Sequence, residues 1–357
     1  MQQPRPVQHG GPRPCRSHWY LAAQFGHATG KGDALRTALD TPDPLLYGNT
    51  TEPHERGSIL VAAVFDGFFA NYQHRIRDLI RIASDGRGVL PVGDLHPDLV
   101  DRLAREAAGA AQEVLTMCIR AFEYLPPVDV TFGDYLRALI TADYDLLADD
   151  GVEQRRAMIE AFRRRGIFPE GAISLSESSL LWPAAAVSKF IPAQALAERL
   201  VSGARTVHGT SRGATEPAGE EAIYRRLRSW AKQSASELGL DPGDRIHVHG
   251  FHATYRINSS GQLVVEVVAQ FLQKRDTSKD QRFGGIPFRG GATVVASADG
   301  RVRFVITKPM SDARIERQID FVSRLDLNDP WLPWAGEPYM RSRARRDFRS
   351  LHRGIVA

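Results

Sequence analysis

Apolar positions in this chain follow two different periods, and the change from one to the other divides it. Through residues 50–81 they recur at steps of three and four: Ile59, Leu60, Ala63, Val64, Phe68, Tyr72, Ile76, Leu79 and Ile80. That spacing predicts one long helix. Its first turns are apolar nearly all round and should run through a core, while its last turns carry Arg75, Arg77, Asp78 and Arg81 and should reach solvent. The same period marks residues 97–124, with Leu99, Leu103, Ala107, Ala110, Val114, Met117, Cys118 and Ala121 on one face, stopped by Pro126 and Pro127. A third helix is expected after Thr131, which with Asp134 makes a capping-box-like pair. A fourth covers 152–165 and ends at Gly166, where a left-handed cap is wanted. Shorter helical stretches are expected at 19–28, 34–39, 175–181 and 193–201.

Past residue 219 the grammar changes. Residues 220–238 still read as an amphipathic helix. The runs 245–257, 263–274, 292–297 and 302–307 are of strand type, joined by hairpin signals at Asn258 to Gly261 and Ala298 to Gly300. A helix over 312–325 follows. The expected fold is multidomain α and α+β, a mainly α-helical lobe followed by a smaller α+β domain with an antiparallel sheet. Its parts are a disordered head at 1–17, the helical lobe at 18–202, a Gly/Ser/Thr linker at 203–219, the α+β domain at 220–327, and a Pro/Trp and Arg-rich tail at 328–357.

Composition narrows the function classes. The chain has 357 residues, 43% of them apolar and 25% charged, with a net charge of +4. These are values of an ordinary globular protein, and the charge is too small to argue for a nucleic-acid partner. Cys15 and Cys118 are too few for a disulfide framework or a zinc ligand set. No stretch has the length and character of a signal peptide or of a membrane span, so a cytoplasmic chain with no membrane span is expected.

Several groups invite chemistry, and most have a plainer reading. His247, His249 and His252 begin a strand-type run. His247 and His249 would share a face by alternation, yet no Asp or Cys completes a metal set, so a solvated strand face is expected. Asp143 and Asp145 are two apart on a helix and cannot face the same way, which argues against a paired-carboxylate catalyst. Gly284, Gly285, Gly290 and Gly291 bracket a short segment but are followed by no Lys-Ser/Thr, so a turn into a strand is expected. The arginines at 341, 343, 345, 346, 349 and 353 could touch nucleic acid or acidic lipid by charge, but a solvated tail is expected. His54, just ahead of the long helix, can present its ring to a cleft while the helix fixes its backbone.

A family resemblance adds to that reading. His54 followed by Gly57, Ile59 and Ala62-Ala63 resembles a segment of the thermolysin-like metallopeptidases, the gluzincins. Phe132, Arg137-Ala138, Ala142, Asp145-Leu146, Ala161-Phe162 and Gly166-Ile167 look like the last helices of that family's helical lobe. The likeness covers about residues 49–169, roughly a third of the 357 residues. It implies that His54 is a catalytic residue that donates a hydrogen bond to the tetrahedral oxyanion.

Such an enzyme also needs His-Glu-x-x-His on a helix, the two histidines binding zinc and the glutamate acting as general base. None of the eleven histidines opens that motif; the nearest, His54-Glu55, has Ser58 where the second ligand belongs. The family's zinc helices precede the matched segment. The expectation is therefore a gluzincin-type homologue lacking the zinc half, inactive alone, with no cofactor or metal in this chain and zinc implied only for a complete relative. Loss of that half and a truncated gene both stay open. The alternative is a non-catalytic binding or scaffold module. Either way, the expected partner is a peptide or protein at the open face of the helical lobe.

Overall fold

The computed structural model describes residues 41–50, 53–90, 93–147, 151–185, 191–192, 218–257, 261–277, 279–284 and 286–324, with only the backbone described at 53–54 and 218–220. The head at 1–17, the helices expected at 19–28, 34–39 and 193–201, the linker up to residue 217 and the tail at 328–357 lie outside the described residues.

The long helix is realised as α2 (Pro53–Arg75), preceded by the short α1 (Leu46–Asn49). It is not continuous to residue 81. Ile76, at φ −91° and ψ 0°, makes a turn that stays in the right-handed region, and α3 (Arg77–Ala83) follows it. The end of α2 is held against α4 (Pro97–Ala121), because Arg75 reaches Glu106 at 3.0 Å and Glu113 at 2.7 Å. The period of apolar residues carries no record of that tether. A short 3-10 turn over Phe122–Tyr124 closes α4.

Thr131 and Asp134 cap α5 (Phe132–Leu147) reciprocally: the Asp134 amide donates to Thr131 Oγ1 at 3.1 Å, and the Thr131 amide donates to Asp134 Oδ2 at 2.8 Å. Helix α6 (Val152–Arg164) ends at Gly166, whose φ of +68° is the left-handed cap its sequence position calls for. Helices α2 and α6 lie so close that a Cβ on Gly67 would fall 2.8 Å from Met158 Sδ. The stretch expected at 175–181 shortens to α7 (Glu177–Leu180).

After α8 (Ala218–Gln233), the strands β1 (Ile246–Ile257), β2 (Leu263–Arg275), β3 (Phe288–Ser297) and β4 (Val302–Lys308) form an antiparallel meander in the order β1-β2-β3-β4. Helix α9 (Asp312–Ser323) follows. The chain thus has the helical first part and the α+β second part expected of it.

β3 starts four residues before its apolar run because Gly290 and Gly291 belong to the ladder. A Cβ on Gly291 would lie 2.6 Å from Pro127 Cγ and 2.6 Å from the Phe271 carbonyl. Only glycine lets the loop after α4 come that near the sheet.

Side chains alternate across a strand, so the ladder register sorts them into two faces. Val267, Ala269, Phe271, Ala292, Val294 and Ala296 point to α8, where Leu227, Trp230 and Ala231 complete one core. Val268, Val295 and Ile306 point the other way, into the same core as Leu136, Leu139, Ile140, Met158 and Phe162 of the helical bundle. The sheet is therefore a shared wall. Thr293 Oγ1 donates to the Leu125 carbonyl at 2.6 Å, and the Ala185 amide donates to the Arg303 carbonyl at 2.8 Å along the β4 edge.

Candidate functional site at the helix and sheet seam

Where α5 ends over the sheet, charged side chains replace the apolar contact. Asp145 leaves the last turn of α5 toward β1 and β4. Arg256 Nη2 meets its Oδ2 at 2.9 Å, and Arg256 Nη1 donates to the Asp145 carbonyl at 3.2 Å. Arg303 clasps both carboxylate oxygens, and the Tyr124 hydroxyl donates to Oδ2 at 2.7 Å. Glu266, only 1% exposed, shares both arginines: Arg256 Nη2 lies 3.1 Å from its Oε1, and Arg303 also pairs with it. Arg120 of α4 stands at the side, 4.0 Å from Glu266 Oε2 and 3.6 Å from Glu123 Oε2.

The ladder explains why these residues meet. Arg256 is paired with Val264, and Thr254 with Glu266, so Arg256, Thr254 and Glu266 all stand on the bundle face. Arg303 is the extra residue where the pairing of β3 with β4 shifts between Val295 and Ala296. A bulge of this kind re-aims a side chain, and here it turns a guanidinium onto α5.

The electrostatics follow from this arrangement. Burial pushes the Asp145 carboxyl up, but the hydrogen bonds from Arg303 and Tyr124 and the charges of Arg303 and Arg256 outweigh it and hold the group below the usual carboxylate range. Burial pushes Glu123 up, against the pull of Arg120 and with a push from Glu266. Burial and the two carboxylates raise Tyr124, so its phenol keeps its proton.

The seam is not saturated. Arg120 Nε and Nη2, Arg256 Nε, Glu266 Oε2 and Thr254 Oγ1 are buried with no hydrogen-bond partner among the described residues. The arrangement can clamp two layers together and can accept further polar groups.

Inside the bundle a second ionic group surrounds Arg155, which is fully buried. Arg155 donates to Asp143 Oδ2 through Nη1 at 2.9 Å and to Glu177 Oε2 through Nε at 2.9 Å. Gln154 donates to Asp143 Oδ1 at 3.2 Å and accepts from Asn71 at 3.3 Å. Asp143 and Asp145 diverge, as their spacing requires.

Among the described residues, the other expected groups are not gathered into a site. His54 stands in the first turn of α2, and its side chain lies outside the described residues. His247, His249 and His252 are exposed on β1. The expected sharing of a face by His247 and His249 is altered, because the β1 register shifts between Val248 and Gly250 and leaves His249 as the extra residue. His247, paired with Leu272, and His252, paired with Val268, stand on the same face instead. Gly284 makes a left-handed turn, with no helix after it that could hold a phosphate. Cys118 is half-buried, and burial pushes its thiol up, which leaves it a poor nucleophile.

A hollow of about 380 Å³ between α3 and the start of α4 is lined mainly by Leu79, Ile82, Leu95 and Leu99, with Asp94 and His96 as its polar members. It brings together no catalytic set. Among the described residues, no three His, Cys, Asp or Glu side chains are grouped to hold a metal ion. Those residues do not fit a zinc centre.

Sequence reading passed over Arg256, Glu266 and Arg303. The one available signal was Glu266, a lone carboxylate in the apolar run Val264-Val265-Glu266-Val267-Val268. No helix among the described residues is long and apolar enough to cross a membrane. Compared with protein-family models, curated proteins and solved structures, the chain has no match in any of the three.

Proposed function

We propose that this chain carries the helical lobe of a gluzincin-type metallopeptidase homologue without a zinc centre of its own, and that alone it binds a peptide or protein rather than hydrolysing it. The observation that supports this is the joint packing of the residues bearing the resemblance. Phe132 stacks on Tyr47 at 5.3 Å. Arg137 lies over the Trp182 ring at 3.8 Å and donates to the Leu180 and Leu181 carbonyls. Ala138, Ala142, Ala161, Phe162 and Ile167 are fully buried. His54 opens the helix that packs along α6, where a residue held by a rigid backbone could face a ligand.

Incubated with a peptide substrate and added Zn²⁺, the chain is expected to show no hydrolysis and to keep no stoichiometric zinc after dialysis. Hydrolysis that a chelator abolishes would overturn this reading. If DNA upstream of Met1 holds an in-frame His-Glu-x-x-His, His54→Ala in the longer protein should lower kcat by roughly 10²–10³ with little change in KM, the usual loss of one oxyanion donor.

The second reading is a scaffold module of no peptidase descent. The seam favours it, since Asp145, one of the resemblance residues, is fully engaged in fastening the sheet. On that reading the upstream DNA holds no such motif, and His54 has no special place.

A further inference from the structure

Helix α4 carries two apolar stripes, and its own bundle covers one of them. Ala110, Val114, Met117 and Ala121 are buried. The second stripe runs along the outside of the same helix. Ala104, Ala108 and Ala111 are exposed there, as are Leu115 at 53%, Ile119 at 59% and Phe122 at 63%. Phe122 follows the last residue of α4 with φ −62° and ψ −26°, so it continues the helical surface. Residues three and four apart on a helix are neighbours. Ala104, Ala108, Ala111, Leu115, Cys118 and Phe122 therefore make one unbroken row, with Ile119 beside it. Tyr135 of α5 closes one flank: its ring lies 5.9 Å from Phe122, and its hydroxyl donates to the Cys118 carbonyl at 3.2 Å. The outer face of a surface helix is ordinarily charged or polar. This row holds no charge, and at 1.5 Å per residue it is about 27 Å long. Its alternating steps of four and three are the spacing at which two helices pack along a seam.

We infer that two copies of this chain pair through this face, their α4 helices antiparallel about a two-fold axis. The order of residue sizes selects a second copy over any other partner. The row is small at its N-terminal end and large at its C-terminal end, so it fits itself when turned end for end. With the axis beside position 113, Leu115 stands opposite Ala111 of the other copy and Cys118 opposite Ala108. Ile119 then stands opposite Ala107, and Phe122 opposite Ala104. Each large side chain meets an alanine, which lets the two rows interdigitate. A two-fold contact requires this self-complementarity, because one patch serves both sides. Parallel copies would set Phe122 against Phe122 and Ala104 against Ala104, leaving the seam splayed at one end and hollow at the other. No ion of the row has to be desolvated. A single helix pair buries less than the roughly 1,200–2,000 Å² of a standard interface, so the dimer is reversible.

Sedimentation equilibrium of the full chain over a concentration series should show monomer and dimer in exchange. Ile119→Glu places a charge in the seam at an exposed position and should weaken the dimer at least about tenfold, with an unchanged circular dichroism spectrum. Ala111→Leu separates the proposal from simple stickiness. It adds apolar surface but collides with Leu115 of the other copy, so the dimer should again weaken about tenfold or more. A tighter dimer in Ala111→Leu would overturn the proposed fit. Orientation is read by disulfide trapping. With Cys15→Ser and Ala108→Cys in the full chain, diamide oxidation should join position 108 of one copy to Cys118 of the other, as peptide mapping by mass spectrometry shows. Bridges joining two copies of position 108, or two of Cys118, would mean parallel helices and overturn the arrangement. So would a wild-type chain that stays monomeric up to about 1 mM, where even a weak complex assembles.

Discussion

Asp143 and Asp145 stand two residues apart on one helix and meet opposite electrostatic conditions. Asp143 points into the bundle and shares Arg155 with Glu177. One guanidinium between two carboxylates is too little to offset burial, which pushes the Asp143 carboxyl up to about 6, with smaller pushes from Glu113 and Glu177. Asp145 points to the sheet and meets two guanidiniums and a phenol, so it stays ionised more readily than a free carboxyl. The lesson is that the count of donors around a buried carboxylate decides its charge, and burial alone does not.

The largest expected effect comes from removing one partner of each cluster. Asp145→Ala leaves two guanidiniums, Arg256 and Arg303, with Glu266 as their one remaining shared anion. Arginine cannot neutralise itself, so about 3–5 kcal/mol of stability should be lost across the accessible pH range. Arg155→Met should cost a similar amount near pH 8, but the loss should shrink on acidification, because Asp143 can take up a proton and end its own uncompensated burial. Denaturant titrations at several pH values measure both; parallel curves for the two variants would break the contrast.

The wild-type protein should show the same asymmetry more weakly. Asp143 has a folded pKa above its unfolded one, so its contribution to stability is fully present below about 4 and is lost as pH rises to about 6, a change of up to about 3 kcal/mol. Asp145 has a lowered folded pKa, so its contribution is present above the ordinary carboxylate value and is lost as pH falls through the folded one. In Asp143→Asn the first dependence should vanish. A carboxyl resonance of Asp143 titrating near 4 by NMR would refute the assignment.

A neutral contact across the same interface should count for less. Thr293→Val removes the hydroxyl that donates to the Leu125 carbonyl and should cost about 1 kcal/mol by thermal or urea unfolding, the usual net value of one such bond. The smallest effect belongs to the bulge on β1. His249 is exposed there, and His249→Ala should change stability by less than about 0.5 kcal/mol. A larger loss would mean that the bulge residue supports the sheet.

The sequence by itself determined the elements and their order. Steps of three and four located α2 and α4; Thr131 and Asp134 marked the start of α5; Gly166 marked the end of α6; and strand-type runs with turn residues located all four strands. These signals are local, because they come from the geometry of one helix or one strand. The tertiary structure alone decided what each face touches. The end of α2 is tied through Arg75 to Glu106 and Glu113, carboxylates more than thirty residues away on α4. The close approach of Pro127 to Gly291 in β3 brings together a loop and a strand that lie far apart in the chain. The seam draws Asp145, Arg256, Glu266 and Arg303 from three distant stretches, and its Arg303 is aimed by a bulge that exists only once β4 has paired with β3. Such contacts lie between residues far apart in the chain, where no period can record them, and they decided that the sheet shares its core with the helices instead of standing apart from them.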